Sequence, residues 1–182
     1  MRFIKKVGEI SYYTAEIADT ESIVQIDTQS FPENLRAPRN FFIGVMKAFP
    51  DGTFLAMQGE TPVGYFCNML VNDNYVERLE EFLRSSPVLP VPDGGGKNLL
   101  HESIGITQRG HNIAKELILC TGGIIRKYKV KRLVAILETE AGNRLTKKLG
   151  FQVIKRVQTP VGEATIRARS ARGFIKRVRE AL

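Results

Sequence analysis

The chain has 182 residues, enough for one domain with a buried core, and its 43% hydrophobic and 25% charged residues are those of an ordinary soluble globular protein. A formal charge of +8 favours anionic partners without choosing among nucleotide, nucleic acid and membrane surface. No long apolar run is present, so no membrane span is expected, and the polar start at Met1–Lys6 does not read as a signal peptide, which leaves a reducing cytoplasm as the default.

In chain order, residues 1–18 read as a first strand, with Ile10, Tyr12 and Thr14 on one face and Tyr13, Ala15 and Ile17 on the other. Asp19 is the expected N-cap of a helix through Ile23 and Ile26, which Phe31-Pro32 ends. A second helix is expected from about Pro38 to Phe49, with Phe41, Phe42 and Phe49 as core and cleft wall. Thr53–Gln58 and Val63–Leu70 form a hairpin, and Gly64 marks a bulge or a close approach inside it. Tyr75–Leu83 reads as one short amphipathic helix, followed by a Pro- and Gly-rich loop to Lys97. The region 72–98 is therefore expected to be an insertion or flap on the domain. Cys67 and Cys120 lie in apolar runs and read as buried free thiols. No Cys-x-x-Cys or Cys/His spacing suggests a metal, so no metal site is expected.

The stretch richest in chemistry comes next. Leu99, Leu100, Ile104 and Ile106 supply a strand, Thr107–Asn112 a tight polar turn, and Ile113, Leu117 and Ile118 the start of a helix. Free N–H groups and a positive dipole end at that helix start suit a phosphate. Gly110 permits close backbone approach and Arg109 adds a permanent charge. The helix runs to Arg126 or Lys127 and leads to a buried strand, Lys131–Leu137, which makes a βαβ unit with an expected right-handed crossover. Ala141–Leu149 is a helix stopped by Gly150; Phe151–Val157 and Glu163–Arg169 pair as a hairpin; residues 171–182 finish as a basic helix. Phe151–Leu182 carries eight Lys/Arg against two acids, which suits a nucleic acid or acidic partner, or simply a solvated face. No aromatic residues interleave those charges for base stacking.

The order β-α-α-β-β-β-α-β-α-β-β over about residues 10–170 resembles the GNAT superfamily of acyl-CoA-dependent N-acetyltransferases. The resemblance rests on Arg109-Gly-His-Asn-Ile-Ala114, which looks like the family's pyrophosphate loop, and on Asn143-Arg-Leu-Thr-Lys-Lys-Leu-Gly-Phe151, which looks like its late helix. It implies an α/β (α+β) GNAT fold in one domain, residues 1–182, with a mixed, mostly antiparallel sheet of about seven strands. The family's fourth and fifth strands, here Leu99–Ile106 and Lys131–Leu137, would splay apart. Acetyl-CoA or another acyl-CoA would be the cosubstrate. Its pantetheine would pair along Ile104, Gly105 and Ile106, and its pyrophosphate would sit on Arg109, Gly110, His111, Asn112, Ile113 and Ala114. Asn143 would bond the pantetheine or cap its helix. Asn112 stands where a second glycine is usual, and Asn tolerates the left-handed geometry.

Thr146 stands where many members carry a tyrosine that protonates the leaving thiolate, and threonine is a poor acid. The implied reaction is direct transfer of an acetyl group to an amine, which needs a base near the first splayed strand. Glu102 and, second, His101 are the candidates, with water as the alternative. Strict alternation groups Glu102 with Leu100 and Ile104, and His101 with Leu99 and Ser103. Phe31–Arg39 is expected to border the acceptor. Two other functions fit: a GNAT-fold sensor that binds acyl-CoA without turnover, and a nucleic-acid-associated protein using the basic C-terminal region. A homodimer is compatible with the sequence; a membrane partner is not expected.

Overall fold

The computed structural model describes residues 1–182 except Pro87 and Arg109. Among the described residues eight strands form one sheet in the order β1-β2-β3-β4-β5-β6-β8-β7. These are β1 (Arg2–Val7), β2 (Ile10–Thr14), β3 (Phe54–Gln58), β4 (Thr61–Val71), β5 (Asn98–Ile106), β6 (Arg132–Leu137), β7 (Gln152–Thr159) and β8 (Gly162–Ser170). Every neighbouring pair is antiparallel except β5 and β6, which run parallel. The expected single first strand is a hairpin instead: Gly8 turns the chain at φ 58° and β1 doubles back on β2. That extra edge strand makes the sheet eight-stranded rather than seven-stranded.

One face of the sheet is covered by α1 (Thr20–Ser30), α2 (Arg39–Ala48) and two short helices, α3 (Asp73–Glu77) and α4 (Leu79–Ser85). Ile23, Ile26, Phe42, Val45 and Leu79 meet Leu100 and Val134 there. The other face is covered by α5 (Ile113–Lys127), α6 (Glu140–Lys148) and α7 (Phe174–Ala181), through Leu117, Ile118, Leu149, Phe174 and Val178. The one helix expected over Tyr75–Leu83 is broken at Arg78. Tyr75 turns inward, and its hydroxyl donates to the Pro90 carbonyl at 2.6 Å, which ties α3 to the chain beyond α4.

Asp19 does not cap α1 with its side chain. Its Oδ2 accepts from the Glu16 amide at 2.8 Å and closes the 3-10 turn before α1. Gly64 combines both expected causes. Val63 is skipped in the β3–β4 register, and a Cβ on Gly64 would lie 2.8 Å from Ile113, so α5 starts directly on the strand. Cys67 is buried, whereas Cys120 is half-buried on α5 and donates to the Glu116 carbonyl at 3.2 Å. Among the described residues no helix is long and apolar enough to cross a membrane.

Candidate active site at the parting of two strands

β5 and β6 pair only from Asn98↔Arg132 to His101↔Ala135. Beyond His101 the strands part, and that edge of β5 has no strand partner among the described residues. A cavity of about 450 Å³ occupies the gap and is lined from both sides of the sheet. Phe31, Leu35, Glu102 and Glu138 line it on the α1 face; Ala114, Ile118, Leu145 and Phe174 line it on the α5 face.

A β-bulge sets which side chains face which half. Cys67 pairs with Ser103 and Asn68 with His101, so Glu102 is the extra residue. The phase of alternation slips by one at this point. Glu102 and Ser103 both turn to the α1 face, while Ile104 joins His101 on the α5 face. Strict alternation had Ile104 beside Glu102 and Ser103 beside His101; the bulge reverses both pairings.

On the α1 face, the Tyr65 hydroxyl donates to Asp27 Oδ1 at 2.6 Å, and Ser103 Oγ lies 3.1 Å from the same hydroxyl. Asp27 Oδ2 accepts the Ala37 amide at 3.2 Å, which anchors the Phe31–Ala37 segment over the cavity. Arg39, at the end of the expected acceptor border, instead pairs with Glu21. Burial pushes the Glu102 carboxyl up to about 7, and the nearby carboxyls of Asp27 and Glu138 add to the shift. Burial likewise raises Asp27 and Glu138. Glu102 Oε2 and Glu138 Oε1 are buried without a hydrogen-bond partner among the described residues.

On the α5 face, His101 Nδ1 lies 2.6 Å from Asn68 Oδ1, and burial lowers the imidazole to about 3. Its ring stands among Phe66, Phe151 and Phe174.

The remaining predicted site residues divide. Ile104, Ile106 and Ala114 line the cavity. Gly105 lies against Tyr65, whose Cε1 would be 2.5 Å from a Cβ there. Gly110, His111 and Asn112 form an exposed left-handed turn with φ of 91°, 52° and 52°. Asn112 makes no side-chain cap, so it leaves the first-turn amides of α5 to other partners. Ile113 has its side chain in the core and can offer a ligand only backbone. Arg109 lies outside the described residues. Asn143 is outside the cavity lining: its Nδ2 donates to the Thr139 carbonyl at 3.2 Å and its Oδ1 accepts from Arg167 at 3.3 Å. It is not the helix cap either, since Thr139 holds that place. Thr146 does line the cavity, but its hydroxyl donates within its own helix, to the carbonyls of Gly142 and Asn143.

Sequence reasoning passed over Asp27, Tyr65, Asn68 and Glu138. Asn68 and Glu138 left a signal, a polar residue inside an apolar strand and an acid directly after one. Asp27 and Tyr65 are joined only by tertiary structure.

The basic C-terminal segment is partly occupied internally. Arg169 donates to the Leu149 carbonyl, Arg177 to the Lys148 carbonyl at 3.1 Å and Arg167 to the Phe151 carbonyl at 3.3 Å. Arg169 and Arg177 thereby close the C-terminal end of α6, where positive charge is favourable.

No protein-family model matches the chain, and no curated protein matches it in sequence. Solved structures do match its fold. The loading GNATL domain of CurA from Lyngbya majuscula superposes with a TM-score of 0.71 at 13% identity, covering 90% of this chain and 98% of that one. The GphF GNAT-like decarboxylase in complex with isobutyryl-CoA gives 0.71 at 14%, covering 91% and 100%. The NatC complex bound to Gag peptide and CoA gives 0.68 at 17%, covering 90% and 99%. This chain has the GNAT fold.

Proposed function

We propose that the chain is an acyl-CoA-dependent N-acyltransferase that moves an acyl group, most simply acetyl, from the thioester directly to an amine. The observation that carries this reading is the cavity through the β5–β6 gap, with a raised carboxyl on one side and the first turn of α5, at Ala114, on the other. Two of the similar structures hold CoA or an acyl-CoA, and one of them also holds a peptide.

In this reading the pantetheine enters along the unpaired edge of β5, at Ile104 to Ile106. The pyrophosphate rests on the amides of Gly110 to Ala114, with Arg109 beside it. The acceptor comes from the α1 face, past Phe31 and Leu35. An alkylammonium has a pKa of about 10 and must lose a proton before it can attack. Glu102, with its carboxyl near 7, is ionised for part of the population at neutral pH and takes that proton. The nitrogen then bonds to the carbonyl carbon, the C–S bond breaks, the nitrogen gives up its remaining extra proton to water, and the thiolate leaves and is protonated from solvent. Backbone N–H groups on the open edge of β5 would hold the developing oxyanion, an effect worth about 3 kcal/mol where it has been measured. The far face and low pKa of His101 favour Glu102 as the base.

Thr146 favours a second reading, an acyl-CoA-binding module without turnover, because its hydroxyl is engaged and offers the thiolate no proton. Calorimetry with CoA, followed by thiol release from acetyl-CoA across a panel of amines and peptides, separates the two. Binding with thiol release for one acceptor class supports the transferase. Tight binding with no release for any acceptor favours the module, and no binding removes both.

A further inference from the structure

On the α1 face the cavity lining is open, and its character changes from floor to mouth. Glu102 and Glu138 form the floor: one carboxyl oxygen of each is covered, yet both residues stay partly exposed. Among the described residues neither has a cationic partner, although the chain carries 27 Lys/Arg against 19 Asp/Glu. Phe31, Leu35, Val88 and Ile136, all half-buried, make an apolar collar beyond the two acids. Val88 lies in the chain after α4, so the insertion supplies part of that collar. Pro32 and Arg36 are exposed and mark the mouth. Arg36 is held there: its Nε donates to the Phe31 carbonyl at 2.9 Å. Its charge acts on Asp27, but both Asp27 oxygens are occupied, by the Tyr65 hydroxyl and the Ala37 amide. Arg39, on the same segment, is paired with Glu21, whereas the two terminal nitrogens of Arg36 have no partner among the described residues. Glu33, the acid of the same turn, is not part of the lining.

We propose that the acceptor is a small amino carboxylate with an apolar body, its ammonium lying between Glu102 and Glu138 and its carboxylate on Arg36 at the mouth. The proposal rests on the acyl-transfer reading above and names the acceptor class for it. A diamine satisfies the floor but sets a second cation against Arg36, and like charges brought together cost affinity. A plain alkylamine satisfies floor and collar and leaves the guanidinium to water. A carboxylate takes the planar fork of an arginine with two parallel hydrogen bonds. Acylation also removes the positive charge of the nitrogen, so the product loses its hold on the two acids and can leave.

The test varies only the far end of the acceptor. Thiol release from acetyl-CoA is followed with 4-aminobutanoate, butylamine and 1,4-diaminobutane, and with the same three ends on chains longer by one and two carbons. At one length the amino carboxylate is expected to show a kcat/KM at least about threefold above the alkylamine, within the range for an exposed ion pair, and the diamine is expected to be the poorest. Arg36→Gln should bring the first ratio to about one, and Arg36→Glu should put the diamine first. Raising the salt should narrow the same ratio in the unaltered protein, a reading that needs no variant. Glu138→Gln should raise KM for all three ends alike, and unaltered KM values would overturn the cation floor. Thiol release with alkylamines, diamines or peptides that lacks this ranking, or a ranking unmoved by both salt and Arg36→Glu, overturns the acceptor class and leaves the transferase reading intact. Absence of thiol release with every amine and peptide overturns both.

Discussion

His101 and Glu102 are sequence neighbours on β5, yet they enter one cavity from opposite faces of the sheet, and burial drives both toward the neutral form. The histidine falls to about 3 and the glutamate rises to about 7. Of the two, only the glutamate then titrates near neutrality, and on the transferase reading proposed above it is the base. A base acts when deprotonated, so kcat/KM should climb with pH through an apparent pKa of about 7 and level above it. Glu102→Gln should remove that limb and lower kcat/KM by about 10²-fold or more. A limb unchanged in the variant would move the proton to water or to another of the cavity carboxyls.

The same two shifts make opposite statements about stability. Glu102 is raised from 4.5, so its contribution is fully present below about 4.5 and lost as pH rises through about 7. His101 is lowered from 6.5, so its contribution is present above about 6.5 and lost as pH falls toward about 3. The two oppose each other from 4.5 to 6.5, so the curve of the unaltered protein hides them. The difference between Glu102→Gln and the parent isolates one. In urea unfolding the variant should gain on the parent between pH 5 and pH 8, by about 3 kcal/mol at most. A difference that stays flat with pH would mean that the Glu102 carboxyl is solvated like an ordinary surface acid.

Most of the element order and the turn before α5 could be read from hydrophobic period and turn residues, while Glu102 and His101 entered as base candidates only through the family resemblance. The facing of those candidates could not be read so fully. A bulge adds one residue without any change in composition, and nothing in the polar run His101-Glu102-Ser103 marks which of the three is the extra one. Asn143 shows the same limit from the other side. Its place in the motif suggested a ligand, but Arg167, 24 residues later, occupies its oxygen, and only the sheet brings the two together. The β1–β2 hairpin was hidden because the strand before Gly8 is exposed along nearly its whole length and shows little hydrophobic alternation.

Asn112 sits at φ 52° and ψ 30° just before α5, and its side chain makes no capping bond there. What the position asks of its residue is therefore backbone conformation. Asn112→Gly should leave the melting temperature and CoA affinity close to those of the parent. Asn112→Val meets the left-handed penalty of roughly 1–2 kcal/mol and should lower both, because the turn that presents the α5 amides must distort. Thermal unfolding and calorimetry check this pair. Equal affinity for CoA in the glycine and valine variants would detach the turn from the pyrophosphate.

Arg169 separates two meanings of the basic C-terminal region. Its guanidinium donates to the Leu149 carbonyl at the end of α6 and lies 5.3 Å from the centre of the Phe174 ring. Arg169→Ala would strip a carbonyl at a helix end and uncover an aromatic face that belongs to the cavity wall. A loss of about 1.5–3 kcal/mol in stability is expected, the range for hydrogen bonds to charged groups. Arg169→Lys should recover only part of it, since an ammonium lacks the planar fork that both bonds the carbonyl and stacks on the ring. If the charge instead served nucleic acid, the alanine variant would keep its stability and lose polyanion affinity, with a shallower dependence on salt. Chemical denaturation and a salt titration of polyanion binding on the same variant read the two outcomes apart. The internal bonds of Arg169 predict that the first changes and the second does not.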